Sequence, residues 1–226
     1  MNNLLSPELI LKAYSVGCFP MSEARGDEEV FWVSPDERGV LPFDEFHIPK
    51  SMRRFVRNHP YHITADRDFT SVIKACATIR DDTWINREIE RVYIELHGQG
   101  HAHSVEVWDE QDELVGGLYG LSINGAFFGE SMFSTATNTS KLALIALMAH
   151  LHSRGFTLCD AQFVNDHLLQ FGCQEIPHDN YMVRLVNAIQ LSDVSFSDSS
   201  AGESFSITSD CIDAFAGRLQ SITQTS

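Results

Sequence analysis

The chain has 226 residues, 43% of them apolar and fifteen of them Phe, enough for one sizeable core or for a main domain with a small lobe. Its net charge of −15 argues against a generic nucleic-acid binder, since phosphate contacts need Lys and Arg, and no window reaches the ~18 uninterrupted apolar residues of a membrane span. The first residues, Met1 to Glu8, lack the basic segment and apolar run of a signal peptide, and five cysteines (Cys18, Cys76, Cys159, Cys173, Cys211) are scattered without a CxxC pair. A soluble cytoplasmic protein with reduced thiols and no membrane contact is expected.

From the N-terminus, Ser6-Pro7-Glu8 has the marks of a helix start: a capping hydroxyl, a proline at the first helical position and an acid in the first turn. Leu9, Ala13 and Val16 follow at helical spacing, and Gly17 can stop the helix. Trp32 to Asp36 reads as a short strand entering a turn. Ser51 to Asn58 predicts a basic helix ended by Pro60. Lys50, Arg53, Arg54 and Arg57 lie between His47 and His62 with no acid among them. Such a patch can hold a few phosphates on an otherwise acidic body, or it is simply one solvated helix face. Further helices are predicted over Thr70–Arg80, with Val72, Ile73, Cys76 and Ala77 inward, and after a cap at Asn86, where Ile89, Val92, Tyr93 and Leu96 make an apolar stripe.

After Gly100 the period changes to two. Val105 and Val107 alternate with Ser104, Glu106 and Trp108, the pattern of a half-buried strand. A polar turn over Asp109–Asp112 leads to a second strand, Leu114–Ile123. Asn124-Gly125, where both positions tolerate positive φ, is the strongest hairpin signal and opens into Ala126-Phe127-Phe128. Leu142–Leu151 is apolar nearly all round and predicts a helix buried on several sides. Phe156–Phe163 reads as an interior strand and Asn165–Phe171 as a short helix. This order predicts an α+β fold with a mixed sheet. The region after Leu191, rich in Ser and Asp, predicts a weakly ordered tail with one short helix near Cys211–Leu219.

Several residues could carry chemistry. His101 and His103 stand two apart on one strand face and with Glu106 invite a zinc site. No third ligand stands at a recognised spacing, so structural histidines are the better reading and no metal is expected. Gly116-Gly117-Leu118-Tyr119-Gly120 sits inside a strand, where glycines let a ligand or another backbone come close. Glu130 stands among apolar residues in Gly129–Ser134 and needs a partner: a structural ion pair and a cationic substrate group are both open. Asp160 and Gln162 share a face of the interior strand, where an acid and an amide can orient and deprotonate an amine. Asn165 and Asp166, just beyond, read as a helix cap. No Ser-His-Asp order, catalytic Cys motif, Walker A loop or dinucleotide fingerprint is present, so these residues give an enzyme-like domain without naming a reaction.

Eight segments taken together go further: Tyr14-Ser-Val-Gly-Cys-Phe-Pro-Met21, Ser34-Pro-Asp-Glu-Arg38, Phe46-His-Ile-Pro-Lys-Ser-Met-Arg-Arg-Phe55, Thr83-Trp-Ile85, Gly100-His-Ala-His-Ser-Val-Glu-Val-Trp108, Leu114-Val-Gly-Gly-Leu-Tyr-Gly120, Gly129-Glu-Ser-Met-Phe-Ser134 and Asp160-Ala-Gln162. In that order, from about residue 5 to residue 185, the chain resembles the leucyl/phenylalanyl-tRNA–protein transferase family. The resemblance implies a small N-terminal domain over 1–46, a GNAT-like, acetyltransferase-type domain over 47–190 and a Ser/Asp-rich tail over 191–226, partly disordered. It implies transfer of Leu or Phe, sometimes Met, from Leu-tRNA or Phe-tRNA to the N-terminal α-amine of proteins beginning with Arg or Lys, which creates an N-end-rule degradation signal. No cofactor is implied, because the aminoacyl ester already carries an activated carbonyl.

By the same resemblance, Trp84 stacks on the 3′-terminal adenosine, and Leu118, Phe127 and Met132 line the pocket for the transferred side chain. Glu130 receives the basic N-terminal residue, Asp160 with Gln162 helps free the attacking amine of its proton, and Lys50, Arg53, Arg54 and Arg57 hold the acceptor stem. A monomer is expected. The chain departs from the family's pattern in three places: Met21 stands where Trp is common, the longer N-terminus of many members is missing, and the Ser-rich tail has no counterpart. Two rival readings accompany this one: a relative with the same fold and another acceptor, such as a peptidoglycan-type peptide, and a non-catalytic tRNA-binding module.

Overall fold

The computed structural model describes residues 5–79, 82–197 and 204–224; the last residue of the predicted Thr70–Arg80 helix, and the middle and end of the Ser-rich region, lie outside them. Helix α1 (Pro7–Ser15) forms as its signals dictate: Ser6 Oγ accepts a bond from the Leu9 amide at 3.2 Å, and Gly17 leaves the helix at φ +80°. Strands β1 (Phe19–Met21) and β2 (Phe31–Val33) pair antiparallel in a sheet of their own. With α1 they form a small N-terminal domain. The next strand, β3 (Glu37–Val40), already belongs to the large sheet, although its residues fall within the expected 1–46 segment.

The rest of the chain runs α2 (Lys50–Asn58), β4 (His62–Ala65), α3 (Phe69–Thr78), α4 (Arg87–Gly98), β5 (Ala102–Trp108), β6 (Leu114–Ile123), β7 (Ala126–Ser134), α5 (Thr139–Ser153), β8 (Leu158–Gln162), α6 (Asp166–Leu169), β9 (Gln174–Pro177), α7 (His178–Ile189), β10 (Phe205–Ser206) and α8 (Ser209–Gln224). Among the described residues the large sheet has the order β10-β4-β5-β6-β7-β8-β3-β9. Every neighbouring pair is antiparallel except β7 and β8, which run parallel because α5 returns the chain to the same end. The fold is α+β with a mixed sheet.

Both faces of this sheet are covered. Adjacent strand residues go to different cores: Leu118 and Phe127 join α5 on one face, while Tyr119 and Phe128 join α3 and α4 on the other. This corrects the half-buried reading of β5, all seven residues of which are buried. Its polar positions face an interior network, where the Glu106 carboxylate accepts bonds from Ser104 Oγ and, at 2.6 Å, from Thr64 Oγ1. Alternation of polar and apolar residues marked two interiors here, not an inside and an outside.

The region after Leu191 holds the helix expected near Cys211–Leu219, as α8, and its described residues pack more closely than a weakly ordered tail would. Phe196 is 1% exposed and stacks on His103 at 4.1 Å between ring centroids. Strand β10 extends the sheet beside β4, and Ile212 and Phe215 of α8 pack into the core that α5 fills. A few well-spaced apolar residues anchor a segment whose average composition is polar. Among the described residues no helix is long and apolar enough to cross a membrane, and no disulfide forms.

Candidate active site

Two local irregularities open the sheet. Strands β7 and β8 pair only from Ala126↔Leu158 to Phe128↔Asp160 and then part. Just beyond, in the β6–β7 ladder, Tyr119 faces Ser131 and Gly120 faces Gly129, so Glu130 is the extra residue of a β-bulge. A bulge re-aims the side chain it displaces, and here Glu130 is turned into the gap. Gly120 is needed at this point, because a Cβ there would strike the Phe128 carbonyl oxygen and the Phe127 ring. On the other strand Gln162 takes φ +55°, a conformation that costs a non-glycine residue about 1–3 kcal/mol unless its surroundings enforce it. The bond from the Gln162 amide to Asp160 Oδ1 at 2.8 Å enforces it. The resulting cavity holds about 870 Å³.

One end of the cavity is polar. The Glu130 Oε1 atom accepts from Tyr14 Oη at 2.7 Å and from Gln162 Nε2 at 3.2 Å, and Tyr14 Oη lies 2.5 Å from Tyr93 Oη. The fully buried Tyr119 hydroxyl beside them has no partner among the described residues. Among the described residues no cation pairs with Glu130. Burial pushes its carboxyl up to about 8, and the neighbouring Asp160 charge adds to the rise against the bond from Tyr14. Asp160 is different. It is fully buried, and its two oxygens accept from Arg38 Nε and Nη2, from Tyr181 Oη at 2.7 Å and from the Gln162 amide.

Elsewhere the lining is largely apolar, with Leu41, Leu118, Met132, Leu144, Leu147 and Leu168 from one core and Phe19, Met21, Ile79, Trp84 and Phe163 beside them. Ser140, Asn165, Asp166 and His167 add polar groups at its edge. Trp84 is fixed by its carbonyl, which accepts from Ser22 Oγ at 2.8 Å. Of the residues predicted from sequence, Trp84, Leu118, Glu130, Met132, Asp160 and Gln162 thus meet in one cavity. Phe127 does not. It lies where β7 and β8 are still paired, is completely buried and stacks on Phe196 at 5.7 Å, so it supports the core and does not line the pocket.

The basic residues stand apart on α2 and line none of this cavity. Arg53 is half-buried and donates to the Ile48 carbonyl at 3.1 Å; Lys50, Arg54 and Arg57 are exposed. Among the described residues none of the four is paired with an acid. His103 bonds to Asp66 at 2.7 Å, a structural role. Asn165 caps α6 by accepting from the Leu168 amide at 3.0 Å.

Sequence reading missed Arg38, Tyr14, Tyr93 and Tyr181 as parts of the site. By spacing alone Tyr93 is one more apolar position on its helix. Arg38 and Tyr14 sat in segments that carried the family resemblance, but no local pattern ties Arg38 to an acid 122 positions away.

A family model described as "Leucyl/phenylalanyl-tRNA protein transferase" matches residues 40–186, and one described as the N-terminal domain of the same family matches residues 3–36. A protein of Hyphomonas neptunium named leucyl/phenylalanyl-tRNA–protein transferase is 52% identical over 194 residues, 84% of this chain and 75% of that one. Proteins of the same name from Rhizorhabdus wittichii and Paramagnetospirillum magneticum are 48% and 49% identical, over 80% and 82% of this chain and 74% and 90% of theirs. Among solved structures, "The structure of L-PGS from Bacillus licheniformis" superposes with a TM-score of 0.39 at 14% identity, over 72% of this chain and 55% of that one, too loose a likeness to argue from.

Proposed function

The chain belongs to the leucyl/phenylalanyl-tRNA protein transferase family, and from that premise we propose that it moves Leu or Phe from an aminoacyl-tRNA to the N-terminal α-amine of proteins beginning with Arg or Lys. The observation that carries this reading is the single cavity that joins an apolar wall to a carboxyl end. The esterified side chain packs against Leu118, Met132, Leu144 and Leu147. An apolar pocket distinguishes one methylene by only about 1–3 kcal/mol, so Leu and Phe, and to some degree Met, are all accepted. Trp84 stacks on the terminal adenosine, a contact worth roughly 1–3 kcal/mol. The exposed cations of α2 take acceptor-stem phosphates, which carry little sequence information.

Glu130 receives the basic side chain of the acceptor. Its carboxyl is pushed up to about 8, and an arriving guanidinium or ammonium favours its charged form. Asp160, whose two oxygens already accept from Arg38, Tyr181 and the Gln162 amide, is placed to orient the groups that help free the attacking amine of its proton. It holds Gln162, whose side-chain oxygen accepts an N–H of the attacking amine. An α-amine has a pKa of about 7.7–8, so positioning contributes more than base strength. The amine nitrogen attacks the ester carbonyl, the new C–N bond forms, the bond to the ribose 3′ oxygen breaks, and the amine proton ends on that oxygen. The ester supplies the activation, so the reading asks for no cofactor.

An acetyltransferase-like arrangement of the larger part of the chain belongs to the same reading, supported by the parallel β7–β8 pair that parts into the cleft. So do a cytoplasmic, monomeric protein and a product read as an N-end-rule degradation signal. The test is incubation with radiolabelled Leu-tRNA and peptides beginning with Arg or Ala. Label on the Arg peptide alone supports the reading. Label on both would favour a transferase with a broader acceptor, and label on neither would overturn the reading and leave the two rivals, a transferase with another kind of acceptor and a tRNA-binding module.

A further inference from the structure

We propose that Arg38 is a positioning residue for the transfer, acting through Asp160 on Gln162. The proposal rests on the reading above, in which Gln162 orients the attacking amine. Arg38 is 1% exposed and uses its whole guanidinium. Nε donates to Asp160 Oδ1 at 2.9 Å, Nη2 donates to Oδ2 at 2.7 Å, and Nη1 donates to the Gly17 carbonyl at 2.8 Å. The rings of Phe19 and Tyr181 each lie 4.6 Å from the guanidinium carbon. A planar fork with donors at these angles is something an ammonium cannot imitate.

What the fork holds is the geometry of Gln162. Asp160 Oδ1 carries both Arg38 and the Gln162 amide, and that amide bond keeps Gln162 at its positive φ. The Gln162 side chain then reaches Glu130, Glu130 accepts from Tyr14, and the Tyr14 carbonyl accepts from the Gly17 amide at 3.0 Å, one residue-length from the carbonyl that Arg38 grips. The bonds close a ring: Arg38, Asp160, Gln162, Glu130, Tyr14, Gly17 and back to Arg38. It ties the N-terminal helix to β3, β7 and β8 around the polar end of the cleft. With the fork gone, Asp160 can turn, the Gln162 amide is released, and the residue relaxes toward the extended strand with its side chain out of place. A misplacement of about 1 Å at a reacting group can cost about a hundredfold in rate.

A role limited to neutralising Asp160 would affect stability but would not depend on Gln162. A kinetic double-mutant cycle separates the two. Arg38→Lys is expected to lower kcat by about 30- to 100-fold while leaving KM for Leu-tRNA within about twofold. In a Gln162→Ala background the same change should cost less than about twofold. Tyr181→Phe keeps a ring over the guanidinium and removes one bond to Asp160, so it serves if Arg38→Lys does not fold. It should cost roughly three- to tenfold in kcat, again lost in the Gln162→Ala background. A loss that persists at full size in that background overturns the proposal. Hydrogen exchange at the Gln162 amide reads the same link without any activity: it should speed up in Arg38→Lys and, less, in Tyr181→Phe, and protection unchanged in both overturns the proposal. If the wild type transfers no amino acid, the functional reading falls, and amide exchange still decides whether Arg38 and Asp160 hold Gln162.

Discussion

Asp160 on β8 and Glu130 on β7 face the same cleft from neighbouring strands, and the chain has surrounded them in contrasting ways. Asp160 meets a buried arginine fork, a tyrosine hydroxyl and a backbone amide, all of them donors. Glu130 meets two linked tyrosines and a glutamine, none of them charged, and burial pushes its carboxyl up to about 8. The first arrangement ties a carboxyl group to three elements through its hydrogen bonds and so builds shape. The second leaves a raised carboxyl with no cation beside it among the described residues, which fits the acceptor-binding role proposed for it. Two carboxyl groups whose environments differ this much are suited to different tasks.

The largest test of this contrast is removal of the Asp160 carboxyl group. Asp160→Ala leaves Arg38 buried without a counter-ion and should cost about 3–5 kcal/mol, read by urea denaturation at pH 7. A loss below about 1 kcal/mol would mean that the fork is not structurally important.

Glu130→Gln should act in the opposite direction and only at high pH. The folded chain keeps the Glu130 proton well above the ordinary value of 4.5, whereas the unfolded chain loses it there. The group's favourable contribution is therefore complete below that ordinary value and is lost as pH rises toward 8. The glutamine variant cannot ionise. It should stay within about 1 kcal/mol of the wild type near pH 5 and exceed it by about 3–4 kcal/mol near pH 8.5, a Tm rise of roughly 6–16 °C. A gap that fails to widen with pH would place Glu130 in the same class as Asp160.

The smallest effect is expected from Tyr14→Phe, which removes one donor from Glu130 Oε1 and should cost about 1 kcal/mol. Because the bond from Tyr14 opposes the rise at Glu130, its loss should move the Glu130 midpoint further up. A midpoint that falls in this variant would show that the tyrosines do not stabilise the carboxylate form.

Local chemistry was legible in the sequence where the cause is local. The Ser6 and Asn86 caps, the stop at Gly17 and the Asn124-Gly125 turn, with Asn124 at φ +50°, follow from side chains acting on their own backbone. The family motifs brought six of the seven predicted cleft residues together. What stayed hidden depends on register and long-range pairing. The bulge that aims Glu130 exists only once β6 and β7 are aligned, and Phe127 leaves the pocket because β8 still pairs with it. Tyr93 and Tyr181 look like core residues until their hydroxyls are placed. The strand β9 and helix α7 carry no local signal that stands out, and Phe196 and Phe205 are hidden by the Ser and Asp around them, whereas Phe215 lies on the helix that the spacing near Cys211–Leu219 predicts.

The central claim, that the cleft keeps one acid for shape and the other for its ligand, is tested most directly by carbon-13 NMR of the Glu130 side chain, its signal identified by its loss in Glu130→Gln. Titration of the free protein should give a midpoint near 8, and adding a peptide that begins with Arg should lower it by more than about one unit. A midpoint near 4.5 in the free protein, or one that the peptide leaves unmoved, would contradict the account.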